Sequence, residues 1–158
     1  MMKPKMNMIV IPDLHGRTFW KEAVSYVEAG VPCLFLGDYV DPYPFEGIGD
    51  LDALKNLREV LAFADAHRDR VTLLLGNHDL SYLGDPWGQW TVYADRFSDE
   101  WADIISELFN ENVDLFSLCT YREVGGKLFL FSHAGMYPVW VDWCGLFDEV
   151  DKNDAHAL

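Results

Sequence analysis

The chain has 158 residues, half of them hydrophobic and 15% aromatic, with 26 acidic against 12 basic side chains and a formal charge of −14. That length and apolar content suffice for a single domain with its own core, residues 1–158, and exclude a disordered chain. The charge opposes binding to long nucleic acids and anionic membranes.

In chain order, the apolar run at 8–11 predicts a short buried strand, stopped by Pro12-Asp13. Residues 18–29 show helical spacing, with Phe19, Ala23, Tyr26 and Val27 on one side and Gly30 placed to end the helix. A second strand is expected at 31–36, a Pro- and Gly-rich loop at 42–50, a helix at 51–67 and a third strand at 71–75. This alternation predicts an α/β domain with a parallel sheet covered by helices. Residues 80–96 are aromatic and irregular, and Ser98 is placed to cap a helix running to about residue 110. Gly125-Gly126, between apolar runs at 117–124 and 127–131, predicts a two-residue hairpin, so the domain ends in antiparallel strands.

The three cysteines, Cys33, Cys119 and Cys144, are odd in number and well separated, the pattern of reduced thiols in a cytoplasmic protein. The run at 8–11 is too short for a signal-peptide core, and no segment is long enough to span a bilayer.

Polar residues follow each parallel strand: Asp13 and His15 after the first, Asp38 and Asp41 after the second, Asn77, His78 and Asp79 after the third. The carboxyl ends of parallel strands share one edge, where ligands bind, so these residues are expected to meet. A fourth group, Ser132-His133-Ala134-Gly135, follows the run at 128–131. Carboxylates, imidazoles and an amide oxygen suit a divalent metal such as Mn, Fe or Zn, and the absence of thiolates argues against a Cys-type structural zinc site. The plain readings are that Asp13 and Asp38 cap helices, that Asn77 is a turn residue and that His15 and His133 are structural. Capping and ligation can coexist.

Pro12-Asp13-Leu14-His15-Gly16, Gly37-Asp38-Tyr39-Val40-Asp41, Gly76-Asn77-His78-Asp79 and Ser132-His133-Ala134-Gly135, in that order and each after an apolar strand, resemble the four motifs of the calcineurin-like metallophosphoesterases. The fourth is similar to that of the phosphoprotein phosphatase and diadenosine-tetraphosphate hydrolase branch. The resemblance implies an α+β sandwich and two divalent ions that generate a hydroxide to attack phosphorus in line. By the same resemblance Asp13 and His15 hold the first metal, Asp38 bridges, and Asn77 and His133 hold the second. His78 becomes the general acid, oriented by Asp41. The implied substrate is a phosphorylated small molecule, a nucleotide or a phosphoprotein.

Two departures qualify the likeness. Pro42 stands where the phosphatases carry a phosphate-gripping arginine, leaving Arg17 as the substrate-binding candidate and Arg96 as its alternative. Downstream of His133 the sequence has only His156, read as a tail residue, so the family's last metal-binding histidines and final strands are expected to be missing. On that ground a catalytically incomplete metal-binding module is the rival outside the enzymes, and a phosphodiesterase or nuclease is the rival within them. Tyr82, Trp87, Trp90, Tyr93, Phe97 and Trp101 form either a lid over an organic leaving group or a satellite hydrophobic cluster.

Overall fold

Three short apolar strands, each preceded or followed by a helix, assemble as their sequences dictate. In the computed structural model, which describes residues 7–83 and 95–135, β1 (Ile9–Ile11), β2 (Cys33–Phe35) and β3 (Val71–Leu74) pair in parallel. Ile11 lies opposite Phe35, and Phe35 opposite Leu73. A fourth parallel strand, β4 (Phe116–Ser117), joins β3 and completes the order β1-β2-β3-β4. Every residue of β2 and three of the four residues of β3 are buried, as expected of parallel strands covered by helices.

The segment between β1 and β2 was expected to be one helix over 18–29. It is instead a 3-10 turn, Phe19–Ala23, followed by the short helix α1 (Val24–Glu28). Trp20 explains the tight turn: its ring is buried, and its indole N–H donates to Asn56 Oδ1 at 2.9 Å. The long helix α2 (Asp50–Ala66) buries Ala53, Leu54, Leu57, Val60, Leu61 and Ala64, one apolar stripe at helical spacing. Asn56 lies beside that stripe and also donates to the Arg17 carbonyl at 3.1 Å, anchoring the loop after β1 to α2.

After β3 comes a single helical turn, α3 (Asn77–Leu80), and later α4 (Ala102–Glu111), which buries Ile105 and Phe109. Ser98 does not cap α4. Its hydroxyl donates to Asp50 Oδ2 at 2.8 Å, and the helix begins four residues later. Strands β5 (Cys119–Val124) and β6 (Lys127–Ser132) form the expected antiparallel hairpin. Gly125 and Gly126 join them with φ of 62° and 75°, the two left-handed residues that a type I′ turn requires. Ser117, expected in this hairpin, belongs to β4 of the parallel sheet. On β6, Leu128, Phe129 and Leu130 are exposed.

The fold is thus mixed α/β, with a parallel sheet first and antiparallel strands last. No helix among the described residues is long and apolar enough to cross a membrane. Cys33 and Cys119 are free thiols, Cys33 buried. Cys144, His156, Trp87, Trp90, Tyr93 and the segment 136–158 lie outside the described residues.

Candidate metal centre

The loops leaving β1, β2 and β3 are tied together through their backbones. The N–H groups of Leu14 and His15 both donate to the Asp38 carbonyl, at 3.0 and 2.7 Å, and Gly16 N–H donates to the Tyr39 carbonyl at 3.0 Å. From the other side the buried Asp79 carboxylate accepts the N–H groups of Asp38, Tyr39 and Gly76 at 2.7, 2.9 and 2.8 Å. Asp38 Oδ1 in turn accepts His78 N–H at 3.0 Å. Burial pushes the Asp79 carboxyl up to about 7, against the pull of its three N–H donors and with the Asp38 charge adding to the rise.

This close approach depends on glycine. A Cβ on Gly76 would lie 2.1 Å from Asp38 Oδ1 and 2.6 Å from Asp38 N. The backbone is also held away from its easiest conformations. Four non-glycine residues among those described have positive φ, namely His15 (46°), Asp38 (54°), Asp41 (59°) and Arg96 (70°). All four surround the same point, the pattern of strain held at a functional site.

The donor atoms at this point suit a cation. His15 Nδ1 lies 2.9 Å from the Val40 carbonyl, and His133 Nδ1 lies 2.9 Å from the Leu36 carbonyl. A carbonyl only accepts, so each Nδ1 carries the hydrogen, and in the neutral ring each Nε2 is a bare lone pair. Those two lone pairs face acceptors. His133 Nε2 is 3.0 Å from Asn77 Oδ1 and 3.4 Å from Asp38 Oδ2, while His15 Nε2 is 3.6 Å from the same Asp38 Oδ2. Facing lone pairs repel unless a positive charge lies among them, and an imidazole fixed by a backbone carbonyl is the usual companion of a metal ligand. Asp13, half exposed, completes the set with Oδ1 3.8 Å from His133 Nδ1. Two overlapping groups of possible ligands result, His15–Asp38–His78 and Asp13–Asp38–His133, and Asp38 is common to both.

The five residues expected to share a site, Asp13, His15, Asp38, Asn77 and His133, therefore do gather at the carboxyl edge of the parallel sheet. His78 lies among them, its ring edge-on to His15 at 4.9 Å, but its nitrogens are otherwise engaged. Nδ1 is 2.7 Å from Asp41 Oδ2, and Nε2 is 3.2 Å from Arg96 Nη2 and 3.5 Å from Asp95 Oδ1. Burial alone would lower the His78 pKa. The Asp41 hydrogen bond and the Asp38 and Asp41 charges outweigh burial and Arg96, so it lies above its ordinary value.

The two arginines separate. Arg17 grips Glu46, with Nε 2.9 Å from Oε2 and Nη2 2.7 Å from Oε1. Arg96 reaches the centre: besides its contact with His78 it donates Nε–H to the Asp41 carbonyl at 3.2 Å and stacks over Tyr43 at 4.0 Å. Asp79, one of the polar residues after the third strand, has a structural role: it joins the second and third loops. Tyr82 was grouped with a lid or cluster, yet it is buried, stacks on Phe97 and donates its hydroxyl to Asp41 Oδ1. Its place one helical turn after His78 was the available signal.

Comparison with known proteins agrees with this geometry. Residues 6–157 match the family model described as calcineurin-like phosphoesterase. A symmetrical bis(5'-nucleosyl)-tetraphosphatase of Buchnera aphidicola subsp. Baizongia pistaciae (strain Bp) is 29% identical over 146 residues, covering 85% of this chain and 46% of that protein. The chain thus spans about half the length of that relative. With nearly the whole chain matched, and aspartate, histidine and asparagine gathered at the ends of a parallel sheet, this protein belongs to the calcineurin-like phosphoesterase family.

Proposed function

We propose that this chain hydrolyses phosphate esters or anhydrides with the help of two divalent cations, Mn, Fe or Zn, held by Asp13, His15, Asp38, Asn77 and His133. The observation that carries the reading is the set of imidazole, amide and carboxylate donor atoms gathered around Asp38 Oδ2. When bound, such cations supply Lewis-acid polarisation of a phosphoryl group and lower the pKa of water. Asp38 is the bridging candidate because one of its oxygens faces both imidazoles while the other caps α3. His78, held by Asp41 and with a raised pKa, delivers a proton to the leaving oxygen from Nε2, which can carry that proton once Arg96 turns from it to the phosphate. Arg96 is placed to hold phosphate oxygens beside His78, whereas Arg17 would first have to leave Glu46.

The substrate class under this reading is a phosphorylated small molecule, nucleotide or phosphoprotein. The printed name of the relative favours a nucleotide. The free thiols support a cytoplasmic setting. A phosphodiesterase or nuclease would use the same centre, and the formal charge of −14 weighs against long nucleic acid. A catalytically incomplete metal-binding module is the other rival.

The test is to strip the chain with a chelator, titrate Mn²⁺ and Zn²⁺ by calorimetry, and assay p-nitrophenyl phosphate, bis-p-nitrophenyl phosphate and a dinucleoside tetraphosphate. Metal-dependent phosphate release supports the proposal. Metal binding without turnover of any substrate leaves the incomplete module standing, and no metal binding removes both.

A further inference from the structure

We infer that Tyr82 is a positioning residue for the His78–Asp41 pair, its hydroxyl fixing the Asp41 carboxylate so that His78 Nε2 stays aimed into the site. The inference rests on the reading of His78 as general acid given above. Tyr82 stands outside the four motifs, and its ring packs in the core, stacked on Phe97 with centroids 4.5 Å apart and planes at 18°. A phenylalanine would serve that packing equally well, so the hydroxyl must be accounted for separately.

The hydroxyl has one hydrogen, and the direction of its bonds is set by its neighbours. Ser98 N–H donates to the Tyr82 oxygen at 2.9 Å, and a carboxylate can only accept. The phenolic hydrogen therefore goes to Asp41 Oδ1. Asp41 Oδ2 receives His78 Nδ1–H at 2.7 Å. The carboxylate is thus held at both oxygens, by two side chains one helical turn apart. This matters because the terminal torsion of an aspartate is broad and soft, so a single hydrogen bond leaves the carboxylate free to turn. Once it turns, the imidazole it steers turns with it. The other end of the chain of bonds is also fixed: Ser98 Oγ donates to Asp50 Oδ2 at 2.8 Å, at the start of α2. A line of hydrogen bonds consequently runs from Asp50 through Ser98, Tyr82 and Asp41 to His78, and reaches the candidate metal centre at its His78 end.

The experiment uses Tyr82→Phe in the full chain loaded with Mn²⁺, assayed on two esters. Phenyl phosphate has a leaving group that needs a proton; 2,4-dinitrophenyl phosphate has one that does not. Tyr82→Phe should lower kcat on phenyl phosphate roughly tenfold, equivalent to about 1.4 kcal/mol of barrier, and change it by less than about twofold on the dinitrophenyl ester. KM and metal stoichiometry should hold. In a His78→Asn background the same change should have no further effect on phenyl phosphate, because Tyr82 acts through His78. Equal losses on both esters, a changed metal content, additivity with His78→Asn or an unchanged kcat each overturn the inference. If the wild-type chain turns over neither ester, the functional reading has failed. The inference then stands or falls on the metal-free protein. The His78 Nδ1–H proton resonance, assigned by its loss in His78→Asn, should exchange faster with water in Tyr82→Phe, and an identical exchange rate overturns the inference.

Discussion

Replacing Gly76 by alanine tests whether the second and third loops are pressed together as tightly as the site requires. The added Cβ would lie 2.1 Å from Asp38 Oδ1, 2.6 Å from Asp38 N and 2.7 Å from Asp38 Cγ, where ordinary contact begins at 3.4 Å. Two of these neighbours could move only with the Asp38 side chain, and the third is backbone held by Asp79. Overpacking of this kind costs about 1–3 kcal/mol, and turning Asp38 aside also breaks the buried bond to His78 N–H, a further ~1.5 kcal/mol or more. A total of about 3 kcal/mol, with a urea m-value of about 2 kcal/mol/M, moves the unfolding midpoint down by roughly 1.5 M. Gly49→Ala is the control: its φ is −87° and its new Cβ meets nothing closer than Asp52 Oδ2 at 3.9 Å, so its cost should stay below about 1 kcal/mol. Urea unfolding read by tryptophan fluorescence measures both, and calorimetric titration with Mn²⁺ reads the expected weakening in Gly76→Ala. If Gly76→Ala unfolds no earlier than Gly49→Ala and binds Mn²⁺ as the wild type does, the loops are not packed as described and the argument from close approach fails.

Further outcomes follow from the same geometry. His78→Asn should lower kcat roughly 10²–10⁴-fold on an ester with a poor leaving group while metal content stays constant, checked by steady-state kinetics beside elemental analysis. The chelator-stripped chain should gain stability with Mn²⁺, about 2.7 kcal/mol at a hundred times Kd, seen as a Tm rise of roughly 5–10 °C, and His133→Ala should abolish most of that rise. Cys33 is buried and its thiol is pushed up to about 12 by that burial, so iodoacetamide at pH 8 should label it only after denaturant is added, as mass spectrometry of the labelled peptide will show.

The parts of this protein legible in the sequence are those governed by local pattern. Apolar runs ending in Gly37-Asp38 and Gly76-Asn77 mark strands and their polar ends, and parallel strands must bring those ends to one edge, so Asp38 and Asn77 meet for topological reasons. The stripe on α2 and the Gly125-Gly126 turn were readable for the same reason, because period and turn chemistry are local. What escaped was set by distant partners. Ser98 has the chemistry of a helix cap, but Asp50 and Tyr82, far away in sequence, claim its hydroxyl and its N–H. Residues 18–29 have helical spacing, but Asn56 draws the Trp20 indole inward and the first half tightens into a 3-10 turn. Arg96 sits in a stretch with no period, at a left-handed φ, and only the folded chain sets it beside His78.

The arrangement around Asp38 is built before any ion is considered. Left-handed backbone at His15, Asp38, Asp41 and Arg96 costs about 1–2 kcal/mol at each residue, a large share of the 5–15 kcal/mol by which a domain is usually stable. Such a cost persists only where other bonds leave the chain no alternative. Here those bonds are explicit: the Asp38 carbonyl holds Leu14 and His15, the Asp79 carboxylate holds Asp38, Tyr39 and Gly76, and Arg96 holds the Asp41 carbonyl. The same network gathers both imidazole Nε2 atoms at Asp38 Oδ2. A frame that holds such donor atoms together is preorganised for a cation, since binding then requires little rearrangement. Asp38 belongs to both candidate ligand groups and to the backbone network. It is therefore the residue at which the fold and the proposed chemistry are one structure, and the loop after β2, more than the sheet itself, is what the rest of the domain is arranged to hold.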